Sequence, residues 1–551
     1  MEEDNKPRLV DTGSGFSVLY RGRLLYSKYN PARSVTSLIQ KLELLPSTLV
    51  IINSPCLFYG LTDLIKKLPE GCVIFAAEDD ENLFALSEGS LKKIKEENPG
   101  TDFSNVHLFS TKNLPEMDSF LRKTVNAGTI RRAVQIDFCA GKSFNPEIYK
   151  LIFSAAQEII STFWKNRVTL VKMGRLFSKN IMKNLRCLDS DYFLSMTDRT
   201  VSKPIIVFGA GESADQCLDS SSTLLDALRG GKFFTVSVDA SLTFLLDRGI
   251  KVDAVTALEP QFAIQKAYIG SGDCSSVFFA DLCSRPQVQN LFKNRTVWFA
   301  SEFAELNYLD KIKKIVPDFI PPLGSVGLAA AYIALRLRKD DSVPVFVTGL
   351  DFSYSIGKTH AKGSPAHKAR LFSADRLNQI ENIDAAFSFG ASMIQGKDMK
   401  NAVTTPVMLS YRNDFASRFS GIKNIFDIGK SGLDLGLEKI PPEKAAENFT
   451  KGEGSAERFY EIFSTMRKGS GDAEKFLKDE RNELLKLRDL LSNGEKSEYF
   501  EKEKGLSDQI REILIQREYL FLHFPDGYRL SIEPPFLKRV RAEIDSFLKI
   551  I

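Results

Sequence analysis

No apolar run in this 551-residue chain approaches the roughly 18 residues that a helix needs to cross a bilayer, so no membrane span is expected. The amino terminus, Met1-Glu2-Glu3-Asp4-Asn5-Lys6, is acidic and lacks an apolar core, which argues against a signal peptide. Cysteine is scarce: the seven residues Cys56, Cys72, Cys139, Cys187, Cys217, Cys274 and Cys283 are odd in number and never spaced as CxxC. That argues against a disulfide framework or a zinc site and reads as buried thiols in a reducing cytosol. An excess of charge of one sign is missing too. A net charge of +4 and a pI near 8.4 do not demand nucleic acid, although a balanced total can hide a local basic cleft. Histidine is limited to His107, His360, His367 and His523, and two of these share one glycine-containing loop. No solenoid-like repeat is present.

What remains, 43% hydrophobic and 26% charged residues, is the composition of an ordinary globular protein with room for several domains. Residues 1–145 read as a β-ribbon followed by a small α/β unit. The ribbon is Arg8–Thr12, Phe16–Tyr20 and Leu24–Tyr26; Ser47–Asn53 and Cys72–Ala77 are buried strands, the second ending in Glu78-Asp79-Asp80. The first strand turn, Asn53-Ser54-Pro55-Cys56, has no glycine, so this Rossmann-like unit is expected to be an accessory that binds nothing. Residues 146–200 read as an amphipathic helical connector with Asn180 and Asn184 near its end. From about 441 the chain turns lysine- and glutamate-rich with helical period, over Glu474–Asn493 and Glu495–Ile515, and a helical domain is expected for 441–551.

The central stretch, 201–440, alternates strands and helices and is expected to form a parallel sheet. Ile205-Ile206-Val207-Phe208 is a buried strand closed by Gly209-Ala210-Gly211-Glu212-Ser213; a polar segment to Ser222 separates it from the helix Thr223–Leu228. Phe233–Val238 and Val252–Leu258 are further strands, ending in Asp239-Ala240-Ser241 and Glu259-Pro260. Ligands bind such sheets beyond the carboxyl ends of the strands, where Gly211, Glu212, Ser213, Asp239, Ser241 and Glu259 fall. The first turn is either a phosphate-cradling turn at a helix N-terminus or a plain tight connection. Gly324-Ser325 precedes an alanine-rich helix and is a second anion-favouring turn. The strand Val343–Thr348 ends in Gly349-Leu350-Asp351-Phe352-Ser353-Tyr354, and Gly357-Lys358-Thr359-His360-Ala361-Lys362-Gly363-Ser364 follows. That loop reads as a catalytic loop with a proton acceptor in His360, or as a solvated basic loop with an incidental histidine. No DxD pair is placed to chelate a nucleotide-bound metal, so no metal and no cofactor are expected.

These motifs, GAGES, VDASLTFLLDRGIKVDAVTALEPQ, the Gly-Ser turn, VTGLDFSYSIGKTHAKGS, DTGSG, SKYNP and VTTPVMLSY, together resemble the motility-associated factor (Maf) family of flagellin glycosyltransferases, built on an MptE-like domain. The central domain is also similar to bacterial sialyltransferases. The resemblance implies transfer of a nonulosonic acid, of pseudaminic or legionaminic type, from its CMP-activated form to Ser or Thr of flagellin in the cytoplasm. It implies that Gly209, Gly211 and Ser213 meet the cytidine and phosphate and that Gly324, Ser325, Gly349 and Asp351 complete the cleft. The family usually has proline where Glu212 stands, and the sialyltransferase base lies further past the strand than His360. The catalytic assignment to His360, Tyr354, Lys358 and Asp351 therefore rests on local chemistry. The competing readings are a pyrophosphokinase acting on a hydroxymethylpterin and a non-catalytic flagellin-binding protein.

Overall fold

The computed structural model describes residues 6–188, 192–272, 275–292, 295–449, 454–464, 471–495 and 504–551. The acidic start, Cys274 and part of the expected helix Glu495–Ile515 lie outside them. The chain forms two compact units, Met1–Lys172 with Phe524–Arg529, and Met173–His523 with Leu530–Ile551. The division falls inside the stretch 146–200.

In the first unit, β1 (Arg8–Asp11), β2 (Phe16–Tyr20) and β3 (Arg23–Leu24) make an antiparallel ribbon. The strands β4 (Thr48–Asn53), β5 (Val73–Glu78), β6 (Val106–Ser110) and β7 (Arg132–Asp137) make a parallel sheet in the order β6-β5-β4-β7. All six residues of β4 are buried, because successive side chains feed two cores. Val50 and Ile52 pack with Phe58, Leu61 and Leu64, whereas Leu49 and Ile51 pack with Met117, Leu121, Tyr149 and Ile152. Tyr149, Ile152, Ala156 and Ile160 recur at helical spacing along Pro146–Thr169, which presses that helix against the second of these cores.

The second unit is built on a sheet of β8 (Ile205–Phe208), β9 (Phe234–Val238), β10 (Ala254–Ala257), β11 (Val277–Asp281), β12 (Thr296–Ser301), β13 (Phe319–Ile320), β14 (Val345–Thr348), β17 (Ile425–Asp427) and β18 (Glu438–Lys439). A separate antiparallel hairpin, β15 (Ser392–Gln395) and β16 (Asn401–Thr404), is inserted after β14. The sheet order is β13-β12-β11-β10-β9-β8-β14-β17-β18, with every pairing parallel. This is an α/β fold of Rossmann-like kind. From β8 the chain builds outward to β13, then crosses back along the helix Val326–Leu337 to lay β14 on the other side of β8. Alanine at 329, 330, 331 and 334 lets that helix sit low across β8, β9 and β10, and all four are fully buried. The reversal of strand order between β8 and β14 opens a crevice at their carboxyl ends, the place where such sheets bind ligands.

Two local expectations change. The polar segment after the first turn is itself helical, Glu212–Ser220, because Ala214, Cys217 and Leu218 bury one face while Gln216 and Asp219 face outward. Asp239-Ala240-Ser241, which reads in the sequence as the cap of a helix from Leu242 to Leu246, instead forms the first turn of that helix, which runs Asp239–Asp247 with Val238 at its N-cap. After β18 the chain is helical at Pro442–Phe449, Glu457–Glu461, Asp472–Glu495, Lys504–Leu514 and Pro534–Leu548.

Candidate functional site

The turns after β8 and β14 lie against each other so closely that neither has room for a side chain. A Cβ on Gly209 would stand 2.2 Å from the Gly349 carbonyl oxygen, and one on Gly349, at φ +72°, would stand 2.5 Å from the Gly209 oxygen. Gly209 N donates to Thr348 O (2.8 Å) and Gly211 N to Gly349 O (2.9 Å). The anion at the N-terminus of Glu212–Ser220 is the protein's own. Asp351 accepts from Ser213 N at 2.9 Å and from the Ser213 hydroxyl, which in turn accepts from Gly349 N at 2.8 Å. The helix dipole and the free amide that would favour a phosphate here are met by Asp351.

Behind Asp351, Lys397 and Asp427 form a buried ion pair at 2.6 Å. Gly429 and Gly432 let the return after β17 close over them: Cβ atoms there would come within 2.7 Å of Ser213 Oγ and of Asp351 Cα. Burial pushes the Asp351 carboxyl up to about 6, with Asp427 adding to the rise while Lys397 and Ser213 oppose it. The sequence pattern had not singled out Lys397, Asp427 or the glycines of Ile425–Gly436, although a glycine-rich turn directly after a strand was a usable signal.

The loop 357–364 is strapped onto the first turn. Lys358 Nζ lies 3.2 Å from both Glu212 Oε1 and Asp215 Oδ2, Ala361 N donates to Ala210 O, and Lys362 N donates to Asp215 Oδ2. The two carboxylates raise the Lys358 pKa despite its partial burial, so its charge is spent inside the protein. His360 stands at the surface of this loop, its Nδ1 3.1 Å from Thr359 Oγ1. Neighbouring protein atoms partly desolvate its ring and lower its pKa, although one edge stays open to water. His367 Nδ1 accepts from Gly363 N. Tyr354 is buried and its hydroxyl donates to Ala385 O at 2.7 Å. Ser325 caps its own helix by accepting from Gly327 N, and Gly324, at φ +67°, lies under the Tyr411 ring.

Among the described residues, buried polar atoms without a partner occur at the first turn, in Glu212 Oε2 and Asp215 Oδ1, and again one strand further along. Ser237, Val255 and Phe278 are in register on one face of β9, β10 and β11, and Tyr268 packs edge-on against Phe278. On this face the buried Ser237 Oγ, Asp239 Oδ2 and Tyr268 OH have no hydrogen-bond partner among the described residues. Burial pushes Asp239 up to about 7, helped by nearby Glu259 and opposed by the Ala240 amide. Ser241 is satisfied by Phe208 O and Val238 O. Asn180 donates to Pro260 O and Cys283 O, and Asn184 to Leu282 O and Ser284 O, so one helix clamps the loops after β10 and β11. Arg285 sits in the second of these loops. Its amide donates to Glu259 O, its guanidinium lies over Phe262, and its Nε is buried without a partner among the described residues. An unmet buried polar group costs about 1–3 kcal/mol, and a ligand rich in hydroxyl, amide or anionic groups would recover it. Among the described residues no group of three or more His, Cys, Asp and Glu is placed to hold a metal ion.

The first unit has its own cavity of about 420 Å³ at the carboxyl edge of its sheet, lined by Arg21, Glu78, Asp79, Asp80, Lys112 and Tyr149 among others. Three of its acids are taken up internally, Glu78 by Ser54 and Tyr149, Asp79 by Asn145 and Thr111, and Asp80 by Arg21 and Tyr20.

Residues 179–357 match the family described as 6-hydroxymethylpterin diphosphokinase MptE-like. An uncharacterized protein of Treponema pallidum (strain Nichols) is 30% identical over 570 residues, covering 99% of this chain and 95% of that one. The solved structure of a Maf glycosyltransferase from Magnetospirillum magneticum AMB-1 superposes with a TM-score of 0.58 at 13% identity, covering 99% of this chain and 91% of that one. The chain belongs to one family with the Treponema protein and has the Maf fold. Asn180, Asp239, Glu259, Arg285 and Asp351 fall inside the MptE-like region, whereas Lys358, His360, Lys397 and Asp427 follow it.

Proposed function

We propose that this chain is a metal-independent glycosyltransferase that moves a nonulosonic acid from its CMP-activated form to Ser or Thr of flagellin in the cytoplasm. The observation that carries the reading is the set of unmet polar groups, Ser237, Asp239, Tyr268 and Arg285, at the carboxyl edge of the MptE-like sheet in a chain of Maf fold. Hydroxyls and an amino group of the nucleotide and sugar match Ser237, Asp239 and Tyr268. Arg285 supplies the positive charge for a phosphate or sugar carboxylate that Lys358, paired with Glu212 and Asp215, does not. In the reaction the acceptor hydroxyl oxygen bonds to the anomeric carbon, the bond from that carbon to the phosphate oxygen breaks, and CMP leaves with the electron pair. The hydroxyl proton goes to a base. His360 is the base in this reading, since its lowered pKa keeps the ring neutral and able to accept near pH 7. Intact-mass analysis of flagellin made with and without this protein is the test; an unchanged flagellin mass removes the acceptor from the proposal.

One observation favours a second reading. Residues 179–357 match a family described as a hydroxymethylpterin diphosphokinase, and pyrophosphate transfer from ATP through magnesium would call on Asp239, Glu259 and Asp351, although Asp351 follows β14, which β8 separates from β9. Calorimetry with CMP, ATP and ADP, each with EDTA or magnesium, separates the two. CMP binding in EDTA supports the glycosyltransferase; ATP binding that strictly requires magnesium supports the diphosphokinase.

A further inference from the structure

Between β14 and β17 the chain forms a flap that has its own hydrogen bonds but no core of its own. Arg370 donates to the carbonyls of Gln379, Ile380 and Glu381, Asn382 N donates to Gly357 O, and Tyr354 fixes Ala385. Yet neither the helix Pro365–Ser373 nor the turn Ile383–Phe387 buries a single residue. Instead the flap turns large apolar side chains outward: Phe372 is 88% exposed, Leu377 94% and Phe387 80%, with Phe389 fully exposed and Leu371 and Met399 more than half exposed. With whole aromatic side chains burying ~150–250 Å², the three phenylalanines offer about 450–750 Å², and Leu371, Leu377 and Met399 add to it. The largest apolar patch on a typical monomer is about 300–600 Å², and a stable interface covers about 800 Å² on each partner.

We propose that this flap is the face through which two copies of the chain associate. The area is what one side of such a pair needs. The charges around it decide against a partner of strong charge: the exposed Lys362, Arg376 and Lys400 balance Asp375, Glu381 and Asp384. A face of mixed sign meets its own copy about a twofold axis without net repulsion, and it selects neither an acidic nor a basic partner. The arrangement is independent of the reaction assigned to the cleft.

Light scattering and sedimentation of the full chain from 1 to 100 µM provide the test. The wild type is expected to be a dimer, and Phe387→Asp with Phe389→Asp to weaken its dissociation constant by about a hundredfold or more. Phe372→Asp, alone, should act in the same direction, while Leu151→Asp, also apolar and exposed but on the first unit, should leave the dimer unchanged. A wild type that stays monomeric at 100 µM overturns the proposal. So does a dimer that survives both flap variants, which would pair through another face. A monomeric wild type whose flap variants lose binding to purified flagellin would assign the patch to the acceptor instead.

Discussion

Asp239 is a buried carboxylate, one oxygen of which has no partner among the described residues. Asp239 titrates near 3.8 when exposed and near 7 in the folded chain. Between those values the folded protein holds a proton that the unfolded chain has released, so stability falls as pH rises from about 4 to 7 and stays reduced above it. Asp239→Asn removes this liability. The variant should be more stable than the wild type at pH 8, by on the order of 1–4 kcal/mol, and no more stable at pH 3.5. Denaturant unfolding at the two pH values checks it; equal differences at both would refute the linkage. The same variant should bind CMP less tightly if Asp239 faces the ligand, a gain in stability at the expense of function. His360 separates ground-state from transition-state effects. His360→Ala should abolish transfer with CMP affinity unchanged within a few-fold, whereas His367→Ala, whose Nδ1 is occupied by the Gly363 amide, should matter less. Full transfer by His360→Ala would make another group the base.

At the scale of elements, the strands were legible and the way their ends meet was not. Ile205–Phe208 is apolar throughout and Phe234–Val238 is buried throughout because both sheet faces are covered, and the apolar and β-branched residues of these runs are visible in the linear sequence. The segment after the first turn read only as a polar segment, because buried Ser213 and Asp215 interrupt the apolar face of Ala214, Cys217 and Leu218. The reading of GAGES as a phosphate cradle depended on what lies opposite it, and opposite lies the turn Gly349–Asp351, some 140 positions later in the chain. Gly209 is thus a close-approach glycine, and Gly209→Ala should cost about 3 kcal/mol or more, since backbone must move to admit the methyl. Gly89 gives the contrast: it lies inside the helix Glu81–Glu97 with open space around it, and Gly89→Ala should stabilise by about 0.5–1 kcal/mol through helix propensity alone. Chemical denaturation midpoints test the pair, and a harmless Gly209→Ala would disprove the sealed turn. Likewise Asn180 and Asn184 were legible only as asparagines near the end of an amphipathic connector, without their role in holding two loops, and Arg285 gave no sign at all.

For the whole molecule, chain order and compact units do not coincide. Residues Phe524–Arg529, which follow the charged helices near the carboxyl end, pack within the first unit. Tyr528 lies edge-on to Trp164 at 5.6 Å and under the Arg167 guanidinium, whose Nη2 donates to the Phe524 carbonyl. Gly128 makes room for the ring: a Cβ there would sit 2.3 Å from Tyr528 Cδ2. No local pattern in the sequence marks this return, since a tyrosine between Gly527 and Arg529 looks like any loop residue. It follows that Tyr528→Ala should loosen the first unit although it lies some 350 residues past that unit's last helix. Removing a half-buried aromatic ring should cost about 1–3 kcal/mol. Hydrogen exchange read by mass spectrometry localises the loss: amides of Pro146–Thr169 should exchange roughly 5- to 100-fold faster, while those of β8 and β14 keep wild-type protection. Unchanged protection in that helix would show that the returning segment contributes nothing to holding the first unit together, and acceleration spread equally over both sheets would show that the ring acts on the whole chain rather than on the unit it packs in.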